Sequence, residues 1–165
     1  FTPSVGDNLT KQGFGAEMQV YYDLLGGISL KAEYLAGTFS TFASTQFPSQ
    51  SYSLPNTNVN KVRDFEGYYV SLIKNVGKYN QVSARYDVFD PNKKLSGDAV
   101  ASAADLKYNT MTFAYQYFFD ENVKIMLSYN MPINEKSTNA ALVGTDFANV
   151  DKKDNTFTIR LQAKF

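Results

Sequence analysis

Seven separate runs of this chain place apolar side chains at every second position and polar ones between them. The clearest is Asn155 to Phe165, NTFTIRLQAKF, where Phe157, Ile159, Leu161, Ala163 and Phe165 alternate with Thr158, Arg160, Gln162 and Lys164. A pleated strand sends successive side chains to opposite faces, so each run predicts a strand with one apolar and one polar face. A helix would need a repeat near 3.6 residues, and none of the seven runs shows one. The fold class that follows is all-β.

In chain order, Phe1 to Gln12 has no period and reads as a loop. The first strand is Phe14 to Leu24, with Phe14, Ala16, Met18, Val20, Tyr22 and Leu24 on one face and Glu17, Gln19 and Asp23 on the other. Gly26-Gly27 marks a tight turn. The second strand sets Ile28, Leu30, Ala32, Tyr34 and Ala36 against Ser29, Lys31 and Glu33. A polar loop runs from about Ser40 to Lys61. The third strand, roughly Arg63 to Lys74, is less regular, with Ile73 out of pattern. After a turn at Asn75 to Tyr79, the fourth sets Val82, Ala84, Tyr86 and Val88 against Gln81, Ser83, Arg85 and Asp87. A loop from Asp90 to Ala104 leads to the fifth strand, about Asp105 to Phe119. Asp120 to Asn122 turns into the sixth, which sets Val123, Ile125, Leu127, Tyr129, Met131 and Ile133 against Lys124, Met126, Ser128 and Asn130. Asn134 to Asp154 is the third long loop, and it precedes the final run.

Composition removes several kinds of chemistry. The chain has no Cys and no His, which excludes thiol nucleophiles, Cys or His metal sites and the commonest general base. No cofactor is expected, and an enzyme is not. The formal net charge is zero, which argues against nucleic acid as a partner. No run approaches the ~18 apolar residues of a membrane helix. Phe1 opens without a leader pattern, so the sequence is expected either to be processed or to begin partway into a longer protein.

Connections alternate short and long, and the strands span about 10–13 residues, where soluble sheets average ~5–6. Outer-membrane barrels join their strands by short periplasmic turns and long extracellular loops, which produces this rhythm. A soluble sandwich or lipocalin-like barrel would explain the alternation but not the rhythm. The expectation is one domain, residues 1–165, forming an antiparallel transmembrane β-barrel in the outer membrane of a Gram-negative bacterium, with outer-membrane lipid against its apolar face.

An alternating strand that ends on Phe165 looks like the closing strand of such a barrel, which the barrel assembly machinery reads as a signal. The stretch YNTMTFAYQYFFDENVKIMLSYN and the ending NTFTIRLQAKF together resemble the close of the phosphate-selective porin O and P family. The matching positions are Asp120, Asn122, Val123, Lys124, Ile125, Met126, Leu127 and Tyr129, then Arg160, Gln162 and Phe165. The resemblance covers about the last sixty residues. It implies a diffusion channel, usually a homotrimer, and does not carry phosphate selectivity to any residue here. Seven strands with Phe165 at the periplasmic rim would start outside, whereas bacterial barrels have an even strand count and both termini periplasmic. The chain therefore reads as the C-terminal part of a larger barrel; the alternative is an eighth strand within Phe1 to Leu9.

With the apolar face toward lipid, the lumen would receive Glu17, Lys31, Glu33, Arg85, Asp87, Lys124, Arg160 and Lys164. At about 2.3 Å of height per residue, Arg85 and Arg160 come out level, roughly 12 Å above the turns. Two readings stay open for these charges. They form an anion-favouring wall, or they are paired, Lys31 and Arg85 being balanced by Glu33 and Asp87. The expected function is a porin passing small hydrophilic solutes, anions among them. The alternative is a non-conducting barrel serving as an anchor, an adhesin or a subunit of a larger membrane complex.

Overall fold

The structure is a computed structural model that describes residues 12–23, 26–40, 62–100, 105–139 and 154–164. Seven strands make one antiparallel sheet: β1 (Gln12–Tyr22), β2 (Ile28–Ser40), β3 (Val62–Val76), β4 (Asn80–Asp90), β5 (Tyr108–Phe118), β6 (Val123–Asn134) and β7 (Thr156–Ala163). Their order in the sheet is their order in the chain, and β1 and β7 are open edges. The alternation identified every strand, and the sheet is all-β and antiparallel as expected, but it does not close on itself.

The ends differ from the expected bounds by a few residues. Gln12, Ser40, Asp90 and Asn134, each assigned to a loop, are strand residues paired with neighbours. Pro132 lies within β6, opposite Thr110. It is tolerated because β7 pairs with β6 only as far as Asn130, so that beyond that point no strand among the described residues needs the amide that proline lacks. The Asp90 to Ala104 loop contains a short 3₁₀ turn, Gly97–Ala99. Gly26 and Gly27 both take positive φ, 88° and 92°, the conformation glycine allows at the β1–β2 turn.

Register is unbroken across all six pairings, so each row of paired residues keeps to one face. Val20, Leu30, Leu72, Ala84, Phe113 and Tyr129 form one such row on the apolar face. Ile73, out of pattern in the sequence, falls on the polar face opposite Ser29 and Ser83. The hairpin ends form a staircase. The last β1–β2 pair, Tyr22 with Ile28, is in line with Lys74, Val82, Tyr115 and Leu127, whereas the β5–β6 hairpin continues to Phe118 with Lys124. The strands thus run oblique to the line of turns, the shear that a tilted barrel wall requires.

Little of this sheet is covered. Among the described residues the buried apolar side chains are Val88, Val100 and Leu106, all at the end away from the turns. The apolar face is open to its surroundings, with Phe157, Ile159 and Leu161 each above 60% exposed. A soluble domain of this size would bury such a face against a second layer.

Candidate functional site

Successive rows of the polar face carry different chemistry. Beginning at the turn end, Lys124 pairs with Gln162, and in the next row Met126 pairs with Arg160. These four line a cavity of about 60 Å³. Lys164 follows on the same face of β7, and its amide donates to the Asn122 carbonyl at 2.9 Å. The ammonium of Lys124 stands 5.6 Å from the centre of the Phe118 ring. Among the described residues no carboxylate forms an ion pair with Lys124, Arg160 or Lys164. Arg160 lies opposite Met126, three residues into β6, while Arg85 is five residues into β4. Counted from the start of its own hairpin, Arg160 is therefore nearer the turn than Arg85 and not level with it.

Two polar rows beyond that of Arg160 come Thr112, Arg85, Ser71, Lys31 and Gln19, and after them Thr110, Asp87, Tyr69, Glu33 and Glu17. Arg85 is paired, as one of the two sequence readings has it: its Nε donates to both Asp87 oxygens at 2.8 and 2.9 Å. The guanidinium carbon also stacks 3.9 Å from the centre of the Tyr69 ring. Fixed on two sides, this cation is held to the sheet. Lys31 and Glu33 do not form the corresponding ion pair. Glu33 faces Glu17 directly across the β1–β2 ladder, and no cation is within 4 Å of either carboxylate among the described residues. Like charges in direct opposition are unfavourable, so two acids persist there only in a polar setting.

At the far end of the strands, connections from separate parts of the chain lock together. Arg63 and Asp105 form a buried ion pair, and Asn92 Nδ2 donates to Asp105 Oδ1 at 3.0 Å. Glu135 accepts from the Gly97 amide at 2.8 Å and from the Lys107 amide at 3.0 Å. Ser137 Oγ donates to the Val100 carbonyl at 2.9 Å, while Asp98 accepts from the Thr138 amide and hydroxyl. On the rim, Lys93 pairs with Glu66 at 2.7 Å and Lys94 with Asp64 at 2.8 Å. The Glu66 carboxylate holds the Lys93 ammonium above the ordinary lysine range. Each of these pairs cancels its own two charges.

Period-two reading placed Lys31, Glu33, Arg85, Asp87, Lys124, Arg160 and Lys164 on one face; the register agrees for the first six, and Lys164 lies one residue past the last paired residue of β7. Phe165, the proposed assembly signal, lies outside the described residues. Sequence reasoning missed the Arg63–Asp105–Asn92 cluster and the role of Glu135, because contacts between loops leave no periodic trace. It set Gly67 on the face of Tyr69 and Ser71 without giving it a role and passed over Gly13, Gly15 and Gly37 on the same face, although a strand glycine is itself a sign of close approach.

Comparison with protein-family models, with curated proteins and with solved structures found no match.

Proposed function

We propose that these seven strands are part of the wall of a bacterial outer-membrane porin similar to the phosphate-selective porin O and P family. The barrel is a passive diffusion channel for small hydrophilic solutes, anionic ones among them. The observation that carries this reading is the sheet's two-sidedness. One face is continuously apolar and uncovered over all seven strands, and the other is polar and charged. Lipid on the first face and water on the second satisfy both.

Further support comes from the margins of the apolar face. Its charged and amide side chains, Gln12, Asp64, Glu66, Asp90, Lys74, Asn80 and Asn109, lie toward the strand ends. Aromatic residues stand beside them, Tyr34 and Tyr68 at one margin, Tyr22, Tyr115 and Tyr117 at the other. Aromatic girdles around an apolar band are the pattern of membrane barrels. The strands' oblique course fits the tilt such a wall needs.

An odd-numbered meander has its first and last strands running the same way. Antiparallel closure therefore needs an odd number of further strands between β7 and β1, giving the even total of bacterial barrels. Those strands come from another segment, because unpaired edges are not tolerated in lipid. Outer-membrane lipid and the assembly machinery are the partners of this reading, in a homotrimer. It requires no catalysis and no cofactor.

Single cysteines along β7 test it. In the refolded protein in vesicles, labels at Ile159 and Leu161 should be quenched from the lipid phase, and labels at Arg160 and Gln162 from water. Uniform aqueous quenching along β7 would refute the membrane wall. Planar-bilayer conductance of the barrel containing these strands then separates a channel from an anchor.

A further inference from the structure

One apolar patch on the polar face has a specific construction. Among described strand residues, the large apolar or aromatic side chains exposed on that face are Tyr21, Leu35, Phe89 and Tyr108. The last three share a single row with Gly15 and Gly67. Leu35 is 42% exposed and Phe89 46%. The other large apolar side chains of that face, Phe65, Ile73, Phe118 and Met126, are less exposed, so three exposed ones in a single row require an explanation.

Glycines provide the seats. A Cβ on Gly67 would lie 3.2 Å from Cδ2 of Phe89, and one on Gly15 would lie 3.4 Å from Cδ1 of Leu35. In the next row outward, a Cβ on Gly37 would meet Cε1 and Cζ of Phe65 at 2.8 Å. Each bulky side chain thus leans over the bare backbone of its partner strand instead of projecting outward. Phe89 and Leu35 keep one side against the wall and turn the other to the space in front of it. They belong to strands two apart, so the platforms are about 10 Å apart at ~4.8 Å per strand. In the adjoining row toward the turns, Glu17 and Glu33 have no ion-pair partner among the described residues.

We propose that this shelf is a saccharide-binding site on the channel wall. The proposal rests on the reading of the polar face as a lumen. A pyranose has a flat face of C–H groups, which packs on Phe89 or Leu35 as on any apolar platform. Its hydroxyls are donors, and ionised carboxylates are acceptors only, so Glu17 and Glu33 supply what the ring edges need. Two platforms at this spacing suit two linked rings better than one. Hydroxyl donors shared between the two acids also offset their mutual repulsion, and a neutral sugar brings no charge that Lys31 or Arg85 would oppose.

Isothermal titration of the complete barrel containing these strands, in detergent micelles, with maltotriose tests the site without requiring insertion. Saturable binding is expected. Phe89→Ser should weaken it about tenfold, the size of one lost ring contact. Phe65→Ser and Glu33→Gln should weaken it by smaller factors, while Phe157→Ser on the apolar face should leave it unchanged. Far-ultraviolet circular dichroism of each variant reports whether the strands persist. Should Phe89→Ser unfold the chain, Glu33→Gln probes the same site from the acceptor side. Absence of saturation in the folded parent, or equal affinity in the parent, Phe89→Ser and Glu33→Gln, would overturn the saccharide shelf. Either result would leave the membrane wall standing, since lipid quenching along β7 decides that separately.

Discussion

Arg63 and Asp105, 42 residues apart in sequence, meet as a buried ion pair, with Arg63 Nε 2.7 Å from Asp105 Oδ1 and Nη2 donating to Oδ2 at 3.3 Å. Removing one partner leaves an uncompensated buried charge, an effect of about 3–5 kcal/mol. Asp105→Ala should therefore loosen the packed connections, which amide exchange at Gly97 and Lys107 would register as lost protection. The double variant Arg63→Met with Asp105→Leu should do less damage, because no charge is stranded. Unchanged exchange in Asp105→Ala would mean the pair does not hold these connections together.

Face assignment gives a sharper contrast. Leu127→Arg and Leu161→Arg place a charge on the apolar face and should destabilise the inserted state by about 2–4 kcal/mol if they lie near the midplane. Ser128→Arg, one residue from Leu127 on the opposite face, should be far milder. Denaturant titration in vesicles measures all three. Equal damage at positions 127 and 128 would mean both faces are buried.

Conduction distinguishes a cationic wall from a paired one. Replacing Lys124, Arg160 and Lys164 together with Gln keeps polarity and removes three charges that have no ion-pair partner among the described residues. In the complete barrel, the reversal potential in a KCl gradient should shift toward cation preference at low salt. The shift should shrink at high salt, as the Debye length falls from ~10 Å at 0.1 M to ~3 Å at 1 M. An unchanged potential at 0.1 M with conductance intact would show these charges to be neutralised by neighbours.

Phe165 offers a prediction about assembly and not about transport. Its deletion should lower the yield of barrel in the outer membrane, read as the heat-modifiable fraction on a gel, without changing the single-channel conductance of molecules that do assemble. Full yield without Phe165 would remove its role as an assembly signal.

The strands were legible because their signal is local. A residue such as Leu161 announces its face through Ile159 and Ala163 alone, whatever the rest of the chain does. Strand ends were harder to place. Gln12 and Ser40 extend β1 and β2 through backbone pairing, which needs no particular side chain. Pairing of Arg85 with Asp87 could be anticipated because both lie on one face of one strand. Pairing of Arg63 with Asp105 could not, since it depends on how a loop returns to the sheet. The same holds for Glu135, whose partners Gly97 and Lys107 belong to a different connection.

Unbroken register across six pairings also restricts how such a sequence can change over generations. Adding or losing one residue within β4 exchanges the two faces for everything beyond that point in the strand, so Tyr86 would take the environment of Arg85 and Arg85 that of Ala84. Two residues restore the pattern but displace every partner across both ladders, and a single one is absorbed only as a bulge. Length variation among descendants of this chain is thereby channelled into the connections, and within strands mutation proceeds by substitution.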